Sequence, residues 1–112
     1  MPRQAAKIDA NQPEIVKALR KAGAIVQSLA AVGKGCPDLL VGYRSINYLL
    51  EVKDGSRVPS ERRLTPDQVD WHNSWRGTVR VVEDELQALT AIGAVKSHGE
   101  GRRILRSISP TE

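Results

Sequence analysis

The segment 35–55, which reads GCPDLLVGYRSINYLLEVKDG, constrains the fold of this chain more than any other part of the sequence. It predicts two apolar strands, at 39–42 and 46–52, that fold back on each other about Arg44 and Ser45. These two residues match poorly the Asn-Gly or Gly-X loops that a two-residue hairpin prefers. A four-residue loop keeps the same register, whereas a three- or five-residue loop shifts it by one and moves alternate side chains to opposite faces.

In the register of a two- or four-residue loop, facing residues have numbers that sum to 89, so that Asp38 faces Glu51. Opposed side chains of an antiparallel pair have Cβ atoms about 4.5–5.5 Å apart, where two like charges destabilise the pair. Lys53 lies on the same face as Glu51 because side chains alternate along a strand. The two acids and the lysine therefore predict a divalent-metal site, although a Pro-Asp turn and a solvated strand end would give the same residues.

The residue types at this predicted site indicate which metal it would hold. Carboxylates without a paired Cys or His favour a hard cation, Mg²⁺ or Mn²⁺, that keeps several waters. Such an ion polarises phosphoryl oxygens and lowers the pKa of bound water. Lys53 would then orient or deprotonate that water, or hold the phosphate.

The 112 residues predict one domain, with a core at about 12–92, a lead-in at 1–10 and a basic extension at 94–112. We expect no membrane span and no secretory signal, because no apolar run approaches the roughly 18 residues that a span needs. Cys36 is the single cysteine, which excludes an intramolecular disulfide and favours a reducing, cytoplasmic location. The net charge of +4 is compatible with a nucleic-acid partner but does not establish one.

Apolar periodicity and turn residues predict the remaining elements. Asn11 or Gln12 is expected to cap the first helix, and Thr65 caps a later helix that starts at Pro66. The fourth strand follows a crossover helix and is expected to lie parallel to a neighbour. Because the hairpin strands are apolar on both faces, we expect a central mixed sheet flanked by helices on both sides. The predicted elements are a helix at 13–22, a strand at 24–29, the hairpin, a polar loop at 54–63, a helix at 66 to about 75, a strand at 78–82, a helix from 84 to before 93, and either a tail or an edge strand at 104–108.

Two short motifs in this order, Pro37-Asp38 and Glu51-Val52-Lys53, resemble the PD-(D/E)XK nuclease superfamily. More narrowly, the chain is similar to the small stand-alone VRR-NUC (virus-type replication-repair nuclease) proteins of phages and bacteria. That resemblance covers about residues 12–90 and depends on four blocks, which are GCPDLL at 35–40, EVKDG at 51–55, LTPDQ at 64–68 and Trp-His at 71–72. It implies an α/β fold with a restriction-endonuclease-like core of order α-β-β-β-α-β.

The resemblance also implies roles for particular residues. Asp38 and Glu51 would bind the metal together with the backbone carbonyl of Val52, and Lys53 would serve the water nucleophile. Gln68 matches the glutamine that the family carries on its second helix, although it is equally well placed as the N3 residue of a capping box.

Other candidates are weighed against plainer roles. Glu14 resembles the first-helix glutamate that completes the metal site in these nucleases, but an acid there also suits the helix dipole. Trp71 and Trp75 are expected in the core, with base stacking as the alternative, and His72 and His98 are expected on the surface. Contacts with the DNA backbone are predicted for Lys34, Arg57, Arg62 and Arg63.

The activity implied by the resemblance is hydrolysis of DNA phosphodiesters by a Mg²⁺- or Mn²⁺-dependent endonuclease. Stand-alone members resemble Holliday-junction resolvases and act as homodimers, which suits a two-fold branched substrate. No nucleotide cofactor is expected, because the Gly33-Lys34-Gly35 turn lacks the spacing of a phosphate-binding loop. Two alternatives stay open, a flap, end or duplex nuclease without junction preference and a non-catalytic DNA-binding subunit.

Overall fold

A computed structural model describes residues 8–95 of the chain. Its four strands form one sheet in the order β1-β2-β3-β4, antiparallel between the first three and parallel between β3 and β4. The predicted mixed sheet, its element order and its parallel fourth strand are therefore confirmed. The elements are α1 (Gln12–Lys21), β1 (Ile25–Ser28), β2 (Leu39–Tyr43), β3 (Ile46–Val52), α2 (Pro66–Ser74), β4 (Val79–Val82) and α3 (Glu85–Ala91).

The β2–β3 hairpin has the predicted register, with Leu39 opposite Leu50 and Tyr43 opposite Ile46. Its loop consists of the two residues Arg44 and Ser45, which have φ values of 51° and 69°. Hairpin loops of two residues take positive φ at both positions when the turn must follow the right-handed twist of the strands. The chain thus adopts this turn with side chains that prefer negative φ, because pairing along both strands fixes the register.

The hydrophobic core lies on one face of the sheet. Side chains alternate between the two faces of a strand, and the core residues of the strands point to the face away from Glu51. Helices α1 and α3 pack together over this face. α2 lies over the other face, near Glu51, but buries none of its own residues. Helices therefore flank both faces as predicted, although the second face is covered only in part. The core comprises Ile15, Leu19, Ala24, Val26, Leu39, Val41, Leu50, Val52, Val82, Ala88, Leu89, Ile92 and Val95.

Local sequence explains where the helices begin and end. Thr65 and Gln68 form the complete capping box that was predicted, with each side chain bonded to the backbone of the other residue. Gly23 follows α1 with a φ of 105°, a conformation that glycine adopts without strain. Asn11 occupies the N-cap position of α1 without a side-chain cap bond. Its Nδ2 instead donates to the backbone carbonyls of Lys53 and Glu83, which ties α1 to the ends of β3 and β4.

Two differences from the predicted boundaries are small. A short 3₁₀ helix, Pro59–Glu61, interrupts the stretch predicted as a polar loop. The core extends to Val95, inside the segment predicted as an extension. The remaining extension, with His98 and the possible edge strand at 104–108, lies outside the described residues, as does most of the lead-in. Within residues 8–95, every helix is too short or too polar to cross a membrane.

Candidate active site

Two carboxylates meet where β2 begins and β3 ends. Asp38 precedes β2, and its Oδ2 accepts a hydrogen bond of 2.7 Å from the Val52 backbone N–H. Its own carbonyl accepts from the Leu29 N–H at 2.8 Å, so the backbone of Asp38 is fixed as well. Glu51 is 1% exposed. The register argument is thus confirmed, since the two acids lie side by side at one end of the sheet.

The proximity of these acids changes the ionisation of Glu51. Burial raises its pKa to about 9, assisted by the charge of Asp38 and by a hydrogen bond between the two carboxyl groups. Lys53 opposes this rise, but its effect is smaller. Without a further positive charge, the pair therefore holds one proton at neutral pH.

Lys53 and Gln68 complete a chain of polar contacts with Glu51. The Gln68 Nε2 donates to Glu51 Oε2 at 3.0 Å, and the Lys53 Nζ donates to Gln68 Oε1 at 2.8 Å. The Lys53 Nζ lies 4.0 Å from Glu51 Oε2. Gln68 Oε1 also accepts the Thr65 backbone N–H at 2.8 Å. The capping-box role considered for Gln68 is therefore present, and the same oxygen also accepts a hydrogen bond from the lysine of the candidate site.

These residues line a cleft of about 650 Å³ between the end of the sheet, the β1–β2 loop and the start of α2. Of the cations predicted to contact DNA, Lys34, Arg57 and Arg63 line this cleft. The cleft lining does not include Arg62, whose Nε donates to the Arg57 carbonyl at 2.7 Å and whose guanidinium pairs with Glu83 at 3.3 Å.

Glu14 is likewise not brought to the cleft. Its side chain is exposed on α1, because Gln12, Ile15 and Leu19 occupy the face of the helix that is buried. The acid that lines the cleft from this part of the chain is Asp9, just before α1. Burial raises the pKa of Asp9, and Lys53 acts in the opposite direction, which places Asp9 in the electrostatic field of the site.

His72 is the second site residue that sequence analysis missed. It was expected on the surface, but its side chain is only 14% exposed and its Nε2 lies 3.9 Å from Glu51 Oε1. Burial, followed by the nearby charge of Lys53, lowers the pKa of His72. The spacing of His72 could have indicated its position, because it stands four residues after Gln68 and so lies on the same side of α2.

Gly35 fixes the distance between the β1–β2 loop and α2. A Cβ at this position would lie 2.2 Å from the Asp67 carbonyl oxygen, and the residue has a φ of 81°. Only glycine fits this contact without strain. The predicted Gly33-Lys34-Gly35 turn is therefore present at the rim of the site, where Gly35 packs against the backbone of the first turn of α2.

The donor atoms of the site fit a divalent cation. Glu51 Oε1 and His72 Nε2 are both buried and have no hydrogen-bond partner within the described part of the chain. A buried acceptor without a partner is costly unless a ligand satisfies it. Residues 8–95 contain no group of three acidic, His or Cys side chains arranged to hold a metal, so a cation here would depend on two carboxylates, backbone oxygen and water.

A solved structure described as a VRR_NUC domain is similar to this chain. The two sequences are 30% identical, and the match has a TM-score of 0.54 and covers 72% of this chain and 88% of the other. The chain belongs to the VRR-NUC family. Comparison with protein-family models gives no match, and comparison with curated proteins gives none either.

Membership of the VRR-NUC family makes this chain a nuclease domain, as the four sequence blocks predicted. The mixed four-stranded sheet with flanking helices is the restriction-endonuclease-like core expected of such a VRR-NUC protein. Asp38, Glu51, Lys53 and Gln68, which that resemblance assigned to the site, lie together at one end of the sheet.

Proposed function

We propose that this VRR-NUC domain is a divalent-metal-dependent DNA endonuclease that acts on branched DNA as a homodimer. The observation that carries the proposal is the buried carboxylate Glu51, which lies against Asp38 and is joined through Gln68 to Lys53. Two neighbouring carboxylates in a buried setting repel each other unless a proton or a cation lies between them. A cleft lined by Lys34, Arg57 and Arg63 offers phosphate contacts beside them.

Asp38 and Glu51 would hold Mg²⁺ or Mn²⁺, with the backbone carbonyl of Val52 as a further oxygen ligand. When bound, the cation supplies Lewis-acid stabilisation of the phosphate and lowers the pKa of coordinated water. Glu51 must then be ionised, so metal binding releases the proton that the acid pair otherwise holds. Asp9 is close enough to add negative charge to the site without being required as a ligand.

The chain's own residues orient the reactants. The ammonium of Lys53 has three N–H donors, and Gln68 Oε1 accepts one of them. The other two can be donated to the attacking water and to a phosphate oxygen on which charge develops. Hydrolysis forms a bond between water oxygen and phosphorus as the bond to the leaving sugar oxygen breaks, and the proton that the water loses is carried by solvent to that leaving oxygen. Gln68 acts as a positioning residue, because its side-chain amide is bonded to Lys53 and Glu51.

Symmetry is the reason for proposing both a homodimer and a preference for branched DNA. A domain of this size has little surface with which to recognise a junction alone, whereas a two-fold dimer presents two clefts to a two-fold substrate. Sedimentation of the purified protein, with and without a four-way junction, measures this part of the proposal separately from cleavage.

The test of the enzymatic proposal compares an end-labelled four-way junction with a linear duplex of the same sequence. Wild type, Lys53→Ala and Lys21→Ala are assayed with Mg²⁺, with Mn²⁺ and with EDTA. Lys21 is an exposed lysine in the last turn of α1, so its variant controls for the loss of one positive charge. We expect metal-dependent cleavage that Lys53→Ala lowers by roughly 100-fold or more and that Lys21→Ala leaves unchanged.

Each result has a defined meaning. Paired, symmetric cuts in the junction support a resolvase-like enzyme, and equal cutting of both substrates removes the junction preference while keeping the nuclease. Cleavage in EDTA would refute the metal dependence. Binding of both substrates without cleavage under any condition would refute the enzyme and leave a DNA-binding subunit.

A further inference from the structure

Both tryptophans of this chain lie outside its core. The sequence contains four aromatic residues of the Trp, Tyr and Phe types, and two of them are Trp71 and Trp75. Their rings stack at a centroid distance of 4.6 Å and an interplanar angle of 19°. Trp75 is 44% exposed, and neither indole packs against the hydrophobic core. The prediction that they are core residues is therefore wrong, because α2 buries none of its residues and the indoles stack on each other outside the core.

The stacked indoles line a groove between α2 and the β1–β2 loop. The groove has a volume of about 480 Å³ and runs beside the catalytic cleft. Lys34 and Asp67 line both spaces, so the groove adjoins the cleft. Its lining residues are Lys34, Asp67, Asp70, Trp71, Ser74 and Trp75.

We propose that Trp71 and Trp75 form a stacking platform for an unpaired base of the DNA strand that is being cut. This inference rests on the proposed function and specifies which part of the substrate lies beside the cleaved phosphate. An indole face binds a nucleobase regardless of its sequence, since every base has a π-face. A base inside a duplex is already stacked on both sides, so the platform selects DNA that is single-stranded at this point.

The charges in the groove favour a base over a phosphate at the indoles. Asp67 and Asp70 repel phosphate along the α2 side, whereas their oxygens accept hydrogen bonds from base amino groups. Lys34 is the cation at the boundary with the cleft, where the connecting phosphate would pass. A strand could thus place its sugar-phosphate backbone in the cleft and turn its next base onto the tryptophans.

The test measures binding of two labelled DNAs by fluorescence anisotropy, with Ca²⁺ in place of Mg²⁺ and with the DNA checked for integrity afterwards. One DNA is a duplex with a single-stranded overhang, and the other is the same duplex with blunt ends. Trp75→Ala should weaken binding of the overhang DNA by roughly 5- to 100-fold and leave the blunt duplex unchanged. Trp75→Phe should recover part of the loss. Val69→Ala is the matched control, since Val69 is an exposed apolar residue of the same helix that does not line the groove.

A second measurement takes its main result from the unmodified protein, so that this result does not depend on the folding of a variant. Overhang DNAs with an abasic position at each successive nucleotide are titrated while intrinsic tryptophan fluorescence is recorded. We expect quenching by the intact overhang and a loss of quenching and of affinity at one or two abasic positions. Trp75→Ala should not discriminate between the intact and the abasic overhang.

Several results would overturn the inference. These are equal weakening of overhang and blunt DNA by Trp75→Ala, no effect of any abasic position, or a change of sedimentation that shows Trp75 at a contact between subunits. An overhang preference without any cleavage would support the platform and refute only the enzyme. Absence of DNA binding by the wild type would refute both proposals.

Discussion

The replacement Glu51→Gln tests the electrostatics of the site through protein stability alone. In the metal-free protein, burial and the neighbouring Asp38 raise the pKa of Glu51 from 4.5 to about 9. The unfolded chain loses this proton at the lower value, whereas the folded chain retains it. Between the two values the unfolded state binds fewer protons, so the free energy of unfolding falls as pH rises.

The expected slope follows from one proton. Each pH unit changes the free energy of unfolding by about 1.4 kcal/mol for a group that is protonated in one state and ionised in the other. Between about pH 7 and pH 8, Glu51 should therefore destabilise the metal-free protein by about 1.4 kcal/mol. His72 opposes this trend only at lower pH because its pKa is lowered from 6.5. Cys36 adds to it only at higher pH because its pKa is raised from 9.0.

Urea unfolding in EDTA at several pH values in this range measures the slope for wild type and for Glu51→Gln. The variant has the same shape and no titrating group, so the difference between the two slopes isolates Glu51. Excess Mg²⁺ or Mn²⁺ should stabilise the wild type increasingly as pH rises, since binding requires the ionised carboxylate. Equal slopes in EDTA would show that Glu51 is already ionised in the folded protein, and the reasoning from burial would be wrong.

Three further predictions concern single positions. Gly35→Ala should destabilise the protein by about 1–3 kcal/mol in denaturant unfolding, because the added Cβ would lie 2.2 Å from the backbone of α2. The resulting shift of α2 should also lower cleavage. Gly42→Ala is the control and should be nearly neutral, because its Cβ would meet nothing within 4 Å. The double replacement Arg44→Asn and Ser45→Gly should raise the free energy of unfolding by about 1 kcal/mol and so the melting temperature, since both positions have positive φ. An unchanged melting temperature would argue against strain in this turn. The imidazole of His72 should titrate below 6.5 in NMR spectra of the metal-free protein, and a value at or above 6.5 would contradict its burial beside the site.

The fold and the centre of the site could be predicted because their signals are local. Alternation along β2 and β3, combined with the length of the hairpin loop, was sufficient to place Asp38 opposite Glu51. Likewise, the Thr65 capping box indicated where α2 begins, whereas the assignment of Gln68 to the site came from the family resemblance. These inferences depend on neighbours in sequence and on strand geometry, which the residues themselves determine.

The remaining site residues depend on tertiary placement that no local pattern encodes. Trp71 and Trp75 have the spacing of a buried stripe, but α2 buries none of its residues and both indoles lie outside the core. The same placement moves His72 inward beside Glu51. Asp9 lines the cleft because Asn11, two residues further on, is bonded to the ends of β3 and β4, whereas Glu14, which matched the family pattern, faces solvent.

The shared oxygen of Gln68 gives the site a thermal weakness. That atom accepts hydrogen bonds from both the Thr65 N–H and the Lys53 Nζ, so the lysine keeps its alignment only while the first turn of α2 is formed. A helix that buries no residue opens at a lower free energy than the domain as a whole. Warming should therefore inactivate the enzyme while its sheet and core stay folded, with amide exchange in α2 rising first. DNA bound to this helix, as proposed above, would hold it closed, so that the substrate would protect the alignment of Lys53 from heat.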